Sequence, residues 1–118
     1  ATSSALDKVA NNSQTDVGTS ANAITPGSVT TDTDGQLILG WTSALVVGAA
    51  TVSVGSGFTA RTNVFGDTLF EDQVQGTAGA IAATFTTTLA TADHITLIST
   101  YRAATASTPR RPLLLGVG

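Results

Sequence analysis

The chain has no cysteine and no methionine, and it has one histidine and few charged side chains. The absence of cysteine excludes disulfide bonds, thiolate nucleophiles and zinc–thiolate sites. Charged residues make up 11% of the chain, which is less than half of the roughly 25% expected of a soluble domain. The surface therefore has to be covered by Thr, Ser, Asn, Gln and Gly. That composition is typical of secreted and virion-surface β proteins, and of domains that bury much of their outside in an assembly.

The formal net charge of -3 argues against a nucleic-acid or anionic-membrane partner. No run approaches the ~20 apolar residues of a membrane-spanning helix. No nucleophile, base or ligand set converges in the sequence, so we predict no enzymatic activity, no cofactor and no metal. The chain begins without Met or a signal peptide, and we expect it to be excised from something longer.

Short segments rich in Thr, Val and Ala alternate every second residue and are broken by Gly and Asp, as at Asp34-Gly35. They predict strands over residues 28–31, 36–43, 51–54, 58–64, 68–75, 80–87 and 94–102. Six or seven short strands with no credible helix predict an all-β fold, either an antiparallel β-sandwich or a barrel.

Two terminal segments differ from this pattern. Residues 1–23 are polar and nearly patternless, and we expect an extended arm anchored by Leu6 and Val9. Residues 24–104 form the predicted β-sandwich domain, and residues 105–118 form a linker and an apolar C-terminal arm. Three consecutive leucines would be a solubility liability in water. We therefore expect the second arm to pack on the domain's own sheet or on a neighbouring subunit, through Arg110, Arg111, Leu113, Leu114 and Leu115.

Two acidic motifs have structural explanations. Glu71 and Asp72 are adjacent on a predicted strand and point to opposite faces, so they cannot act together on one substrate. We expect one of them to be partly buried and paired with Arg61 or Arg102. The segment from Asp32 to Gly35 has the oxygen ligands of a calcium loop but lacks a distal Glu, and turn chemistry explains it without an ion.

Trp41, Tyr101 and His94 are the residues that could form a sugar-stacking platform. However, Trp41 shares its predicted face with leucines of the same strand, and Tyr101 is in phase with Ile95 and Leu97. Both aromatic residues are therefore predicted to lie in the core. His94 is predicted to be a surface or cap residue.

The order of residues from Gly35 onward resembles bacterial and phage lectin-like jelly-roll domains of extracellular and virion structural proteins. The resemblance rests on the segments GQLILGWTS, VSVGSGFTARTNV, DTLFEDQVQGTAGAIAATFTTT and DHITLISTYRAA. His94 departs from it, because such domains usually have an aromatic residue there. The resemblance implies a β-sandwich of jelly-roll type. It also implies that the chain corresponds to the C-terminal half of a jelly roll, with an open sheet edge that favours association.

Two hypotheses follow. The first is a non-enzymatic structural module of a virion or extracellular surface structure, which forms a homo-oligomer or joins a larger protein assembly through sheet edges and both arms. Its expected contacts are Leu6, Val9, Arg110, Arg111, Leu113, Leu114 and Leu115. The alternative is a carbohydrate-binding module that uses Trp41, Tyr101 and His94 to bind a glycan.

Overall fold

The structure, a computed structural model, describes residues 4–14, 22–44, 51–64, 66–88 and 93–105. This part of the chain contains ten strands: β1 Leu6–Gln14, β2 Asn22–Ile24, β3 Ser28–Thr30, β4 Gln36–Ala44, β5 Val52–Val54, β6 Thr59–Val64, β7 Thr68–Gln75, β8 Ala80–Ala82, β9 Phe85–Thr87 and β10 His94–Tyr101. All pairings are antiparallel. The prediction of an all-β, antiparallel fold is confirmed. The described residues contain no helix long and apolar enough to cross a membrane.

Five strands form one large sheet in the order β1-β10-β4-β7-β6. Its central strand, β4, pairs with β10 on one side and with β7 on the other. The remaining strands form a three-stranded sheet, β2-β9-β5, and a two-stranded sheet, β3-β8. We call the side of the large sheet that packs on the core the inner face, and the opposite side the outer face.

The turn between β3 and β4 shows how the sequence sets the strand ends. Gly35 has a φ of +74°, a conformation that side chains with a Cβ rarely adopt. Its N–H donates to the Gln75 carbonyl at 2.9 Å, which closes the end of the β4–β7 ladder. The Asp34 carboxylate accepts the Ala78 N–H at 2.7 Å. The predicted Asp-Gly turn is thus where β4 begins.

The core lies between the inner face and the two smaller sheets. Ile38, Leu69 and Ile98 come from the large sheet, and they form one buried cluster with residues of the other sheets: Ile24, Val29, Val52, Ala83 and Phe85. The approach is close at Gly40, where an added Cβ would lie 2.8 Å from the Ala83 Cβ. Glycine at the middle of β4 therefore lets the layers meet.

The strands differ from the prediction at the N-terminus and near residue 83. Residues 1–23 were predicted to be an arm, but β1 and β2 lie there, and β1 pairs along its length with β10. Its Asn-rich sequence hid the strand, because an edge strand needs less apolar surface than a central one. The predicted strand over 80–87 is divided into β8 and β9, which pair with different strands. This division and the two N-terminal strands account for the larger number of strands.

Candidate functional site

The outer face of the large sheet is the main apolar surface of the described residues. Directly paired residues share a face of a sheet, so the register defines rows of side chains across it. One row runs Asn11, Leu97, Trp41, Phe70, Thr62, and the next runs Val9, Ser99, Leu39, Asp72, Thr59. A third contains Leu6, Tyr101, Leu37 and Val74. Most of these positions are apolar, although no other described strand packs on this side.

Exposure confirms that this surface is open. Within the part of the chain that the structure describes, every exposed large hydrophobic side chain belongs to the outer face: Leu6, Val9, Leu37, Val64, Phe70, Val74 and Ile95. Val74 is the extreme, with 68% of its surface exposed. Scattered apolar residues are normal on a protein surface, but a continuous patch on one sheet face marks an interaction site.

Trp41 lies at the middle of the outer face. It is half-buried, and its ring centroid is 6.1 Å from that of Phe70, with the ring planes inclined by 47°. The prediction that Trp41 and Tyr101 lie in the core is therefore wrong. In β4 the inward positions are Gln36, Ile38, Gly40, Thr42 and Ala44. Three of the four large apolar side chains of this strand, Leu37, Leu39 and Trp41, thus lie on the outer face, and the inner face has Ile38 among small or polar side chains.

His94 is also placed differently from the prediction. It is fully buried on the inner face at the beginning of β10, and neither ring nitrogen has a hydrogen-bond partner in the described structure. Burial lowers the pKa of His94, against the nearby charge of Asp93, which raises it. A neutral, buried imidazole cannot stack on a sugar from solvent. Only Trp41 and Tyr101 of the predicted platform share the outer face.

One ion pair lies on this apolar surface. Arg61 donates to both carboxylate oxygens of Asp72, at 2.7 and 2.9 Å, which agrees with one of the two expected pairings. The ladder between β6 and β7 shifts register between Ala60 and Thr62, so Arg61 lies at a bulge. The hydrogen bonds and charge of Arg61 lower the pKa of Asp72. The two charges cancel, which leaves the outer face without net charge at this pair.

Glu71, the neighbour of Asp72, is buried on the inner face and has no arginine partner. One carboxylate oxygen accepts the Gly55 N–H at 3.0 Å. Burial raises the pKa of Glu71 to about 7, against backbone hydrogen bonds from Gly55 and Thr84, which lower it. Glu71 thereby connects β7 to the segments that follow β5 and β8.

A second polar cluster joins three segments at the start of β1. Arg102 forms ion pairs with Asp7 and Asp32, the latter at 2.6 Å. The side-chain amide of Gln36 donates to the same two carboxylates, at 2.8 and 3.2 Å. Desolvation raises the pKa of Asp7, but hydrogen bonds from Gln36 and Lys8 and the charge of Arg102 together lower it to about 2. The aspartates of the predicted turn thus serve as acceptors for protein groups.

The described residues contain no group of three or more His, Cys, Asp or Glu side chains placed to hold a metal ion. Of the predicted contact residues, Leu6 and Val9 lie on the outer face in β1, with 43% and 51% exposure. The others, Arg110, Arg111, Leu113, Leu114 and Leu115, lie outside the described residues.

Searches of protein-family profiles, curated proteins and solved structures found no match to this chain. The resemblance to lectin-like jelly-roll domains therefore stays a prediction.

Sequence reasoning missed the outer face because it assigned Trp41 of β4 and Tyr101 of β10 to the core. A signal was present: Leu37, Leu39 and Trp41 alternate with Ile38 and Gly40, so both faces of β4 can be buried. A strand that is apolar on both faces normally lies between two layers. Among the described residues the large sheet has such a layer on one side.

Proposed function

We propose that this chain is a non-enzymatic structural module that assembles with copies of itself or within a larger surface structure. The observation that carries the proposal is the apolar outer face, centred on Trp41 and Phe70. Ordinary monomers rarely leave a continuous apolar patch of several hundred square ångströms in water. A sheet that is apolar on both faces is what an assembled β protein needs.

The proposed architecture is a β-sandwich of jelly-roll type. It is supported by the buried cluster that joins the inner face of the large sheet to residues of both smaller sheets. Continuity of the small sheets supports it too, since β2 is followed closely by β3, and β8 by β9. These pairs would then act as two bent strands of one opposing layer.

The proposed setting is a virion or an extracellular surface. The supporting evidence is compositional: only 11% of the residues are charged. A chain with this little charge keeps its surface polar with hydroxyl and amide groups. Such a surface suits a protein that is packed against other proteins in an assembly.

The edges of the large sheet are less suited to pairing than its outer face. Edge strands that avoid unwanted pairing carry bulges and charges. β6 has a bulge at Arg61, and β1 has a register shift between Leu6 and Lys8. The side chains of Asn12 and Gln14 also hydrogen-bond the backbone of Thr25, at 3.2 and 2.9 Å. We therefore assign the main contact to the face, and further contacts to the predicted C-terminal arm.

The proposal is tested by the mass of the full chain in solution. Light scattering across micromolar concentrations is expected to give a mass above that of one chain of 11.8 kDa. A chain that lacks residues 109–118 is expected to keep its far-ultraviolet circular dichroism spectrum and to form no oligomer larger than a dimer. A monomer at every concentration would contradict the proposed function.

A carbohydrate-binding module is the second candidate, and it is favoured by the half-buried Trp41 beside Phe70. Sugars stack on exposed aromatic rings, but they also need hydrogen bonds for their hydroxyl groups. Trp41 is flanked in its row by Leu97 and Phe70, and Tyr101 is about 13 Å away along the strands. A glycan array on the folded protein decides this candidate: a specific hit that is lost in Trp41→Ala supports it, and an empty array removes it.

A further inference from the structure

The proposed function leaves the partner of the outer face open. We infer that a second copy of this chain covers it, with the two large sheets packed face to face about a twofold axis. This inference rests on the proposed function, and it names the partner and the surface. It follows from the size of the face, its charge and the position of its aromatic residues.

The size of the face matches a standard protein interface. Five strands spaced ~4.8 Å apart, with about eight residues each at ~3.3 Å per residue, give a footprint of roughly 600 Å². Side-chain relief adds accessible area to this flat estimate. A stable interface buries about 800 Å² on each partner. One copy of the large sheet is therefore the right size to cover another.

The apolar C-terminal arm is too small to be the occupant. Its large apolar side chains are Leu113, Leu114, Leu115 and Val117. The outer face presents eleven, of which the seven named above as exposed are joined by Leu39, Trp41, Leu97 and Tyr101. A single extended segment also covers about one strand spacing of a sheet. Most of the face would remain in water beneath such an arm.

The charge distribution permits two copies to meet through this face. The chain as a whole carries a net charge of -3, so most surfaces of two copies repel each other weakly. The outward side chains of β4 and β10 are uncharged, and the Asp72 carboxylate is neutralised by Arg61. Packing the two faces therefore brings no unpaired like charges together. A nucleic-acid or anionic-membrane partner gains nothing from this surface.

The arrangement of side chains is that of an interface with a central anchor. Trp41 lies on the middle strand, with Leu97 and Phe70 on either side in its row. Buried aromatic residues near the centre of an interface contribute most of the binding energy, and a polar rim excludes water around them. Here Asn11, Thr59 and Thr62 on the two edge strands supply polar positions at the rim. Two twisted sheets pack in this way about 10 Å apart.

The test introduces a charge into the face and matches it elsewhere. Leu97→Glu places a carboxylate beside Trp41, and Thr86→Glu places one on an exposed position of β9, the middle strand of the smaller sheet. Sedimentation equilibrium of the full chain is expected to show a dimer whose dissociation constant rises about 100-fold or more in Leu97→Glu, because an unpaired charge is buried. Thr86→Glu should dimerise as the unaltered chain does.

Phe70→Thr is a second test of the face, in case Leu97→Glu does not fold. It places a β-branched residue, which favours strands, in β7 and removes the ring that contacts Trp41, and we expect it to weaken the dimer about tenfold or more. Folding of every variant is checked by circular dichroism. A dimer that persists unchanged in folded Leu97→Glu and Phe70→Thr would overturn the inference and leave the proposed function standing. An unaltered chain that is monomeric would overturn both the inference and the proposed function. This holds even if deletion of residues 109–118 exposes the face and produces a dimer.

Discussion

At the scale of single residues, Glu71 shows how burial determines behaviour that sequence adjacency does not. Asp72 is exposed enough to form a bidentate pair with Arg61, whereas Glu71 is 1% exposed and is held by backbone groups. The pKa of Asp72 is lowered by its arginine, and that of Glu71 is raised to about 7 by burial. The contributions of these two neighbouring carboxylates to stability therefore change with pH in opposite directions.

Glu71→Gln tests this difference. Because burial raises the pKa of Glu71 from its ordinary value of 4.5 to about 7, the folded protein holds the proton more tightly than the unfolded chain does. Stability is therefore lost as pH rises from about 4.5 through 7. We expect the free energy of unfolding of the unaltered chain, relative to Glu71→Gln, to fall by roughly 3 kcal/mol across this range. Urea unfolding between pH 4 and 8 measures it.

Asp72→Asn is the matched control for Glu71→Gln. Arg61 lowers the pKa of Asp72 from 3.8, so the contribution of Asp72 to stability changes with pH only in more acidic solution. Relative to the unaltered chain, Asp72→Asn should show a constant difference between pH 5 and 8. An equally flat profile for Glu71→Gln would show that Glu71 is not a buried carboxyl group.

His94 gives a second pH-dependent prediction. Its pKa is lowered from 6.5 by burial, so the unfolded chain takes up a proton at a higher pH than the folded one. Stability associated with His94 is present above pH 6.5 and is lost as pH falls below it. His94→Phe keeps a ring at this buried position without a titrating group. We expect it to lose less stability than the unaltered chain between pH 7 and 5 in urea unfolding, and an identical acid response in both would contradict burial of the neutral ring.

At the scale of strands, β1 is held to the rest of the sheet by a polar cluster as well as by its ladder. The Asp7 side chain is fully buried and receives hydrogen bonds from Gln36 and Arg102. These connect the start of β1 to β4 and to the end of β10. An edge strand rich in Asn has little apolar surface to hold it, so the buried carboxylate takes on that role.

Asp7→Ala tests the role of this cluster. Removing the carboxylate takes one acceptor from Gln36 and one from Arg102, which keep their contacts with Asp32, and it removes the buried group that ties β1 to this cluster. We expect faster hydrogen–deuterium exchange of β1 amides and a lower Tm. Asp72→Ala is the control, since it removes an exposed pair from the same sheet. Equal exchange of β1 in the two variants would contradict the assigned role of Asp7.

The strands with the strongest alternation could be predicted from sequence, and the weakly patterned ones could not. β7 was predicted with its observed bounds, and β4 and β10 within one residue. β1 and β2 were missed because their stability comes from pairing with β10 and β9, which no local pattern reveals. The prediction of which face of these strands is buried was wrong for a related reason. Alternation fixes which residues share a face, but it does not say which face the smaller sheets will cover.

At the scale of the whole molecule, the large sheet buries many polar side chains on its inner face and exposes many apolar ones on its outer face. Its inner face holds Thr42, Thr96 and Thr100 fully buried, together with Gln36, Glu71 and His94. Its outer face holds Trp41 and most of the large aliphatic side chains of the three central strands. This distribution is unfavourable for a monomer in water and favourable for a protein whose sheets are covered on both sides. This distribution supports the proposal that the molecule is one layer of an assembly.

Trp41 allows the most direct measurement, because it is the single tryptophan of the chain and lies at the middle of the outer face. Its fluorescence and its quenching by acrylamide can be followed while the protein is diluted through the concentrations at which its mass falls to that of one chain. If the outer face is buried against a second copy, the emission will shift to longer wavelength and quenching will increase over the same range. Emission and quenching that stay constant while the mass falls would show that the copies meet elsewhere.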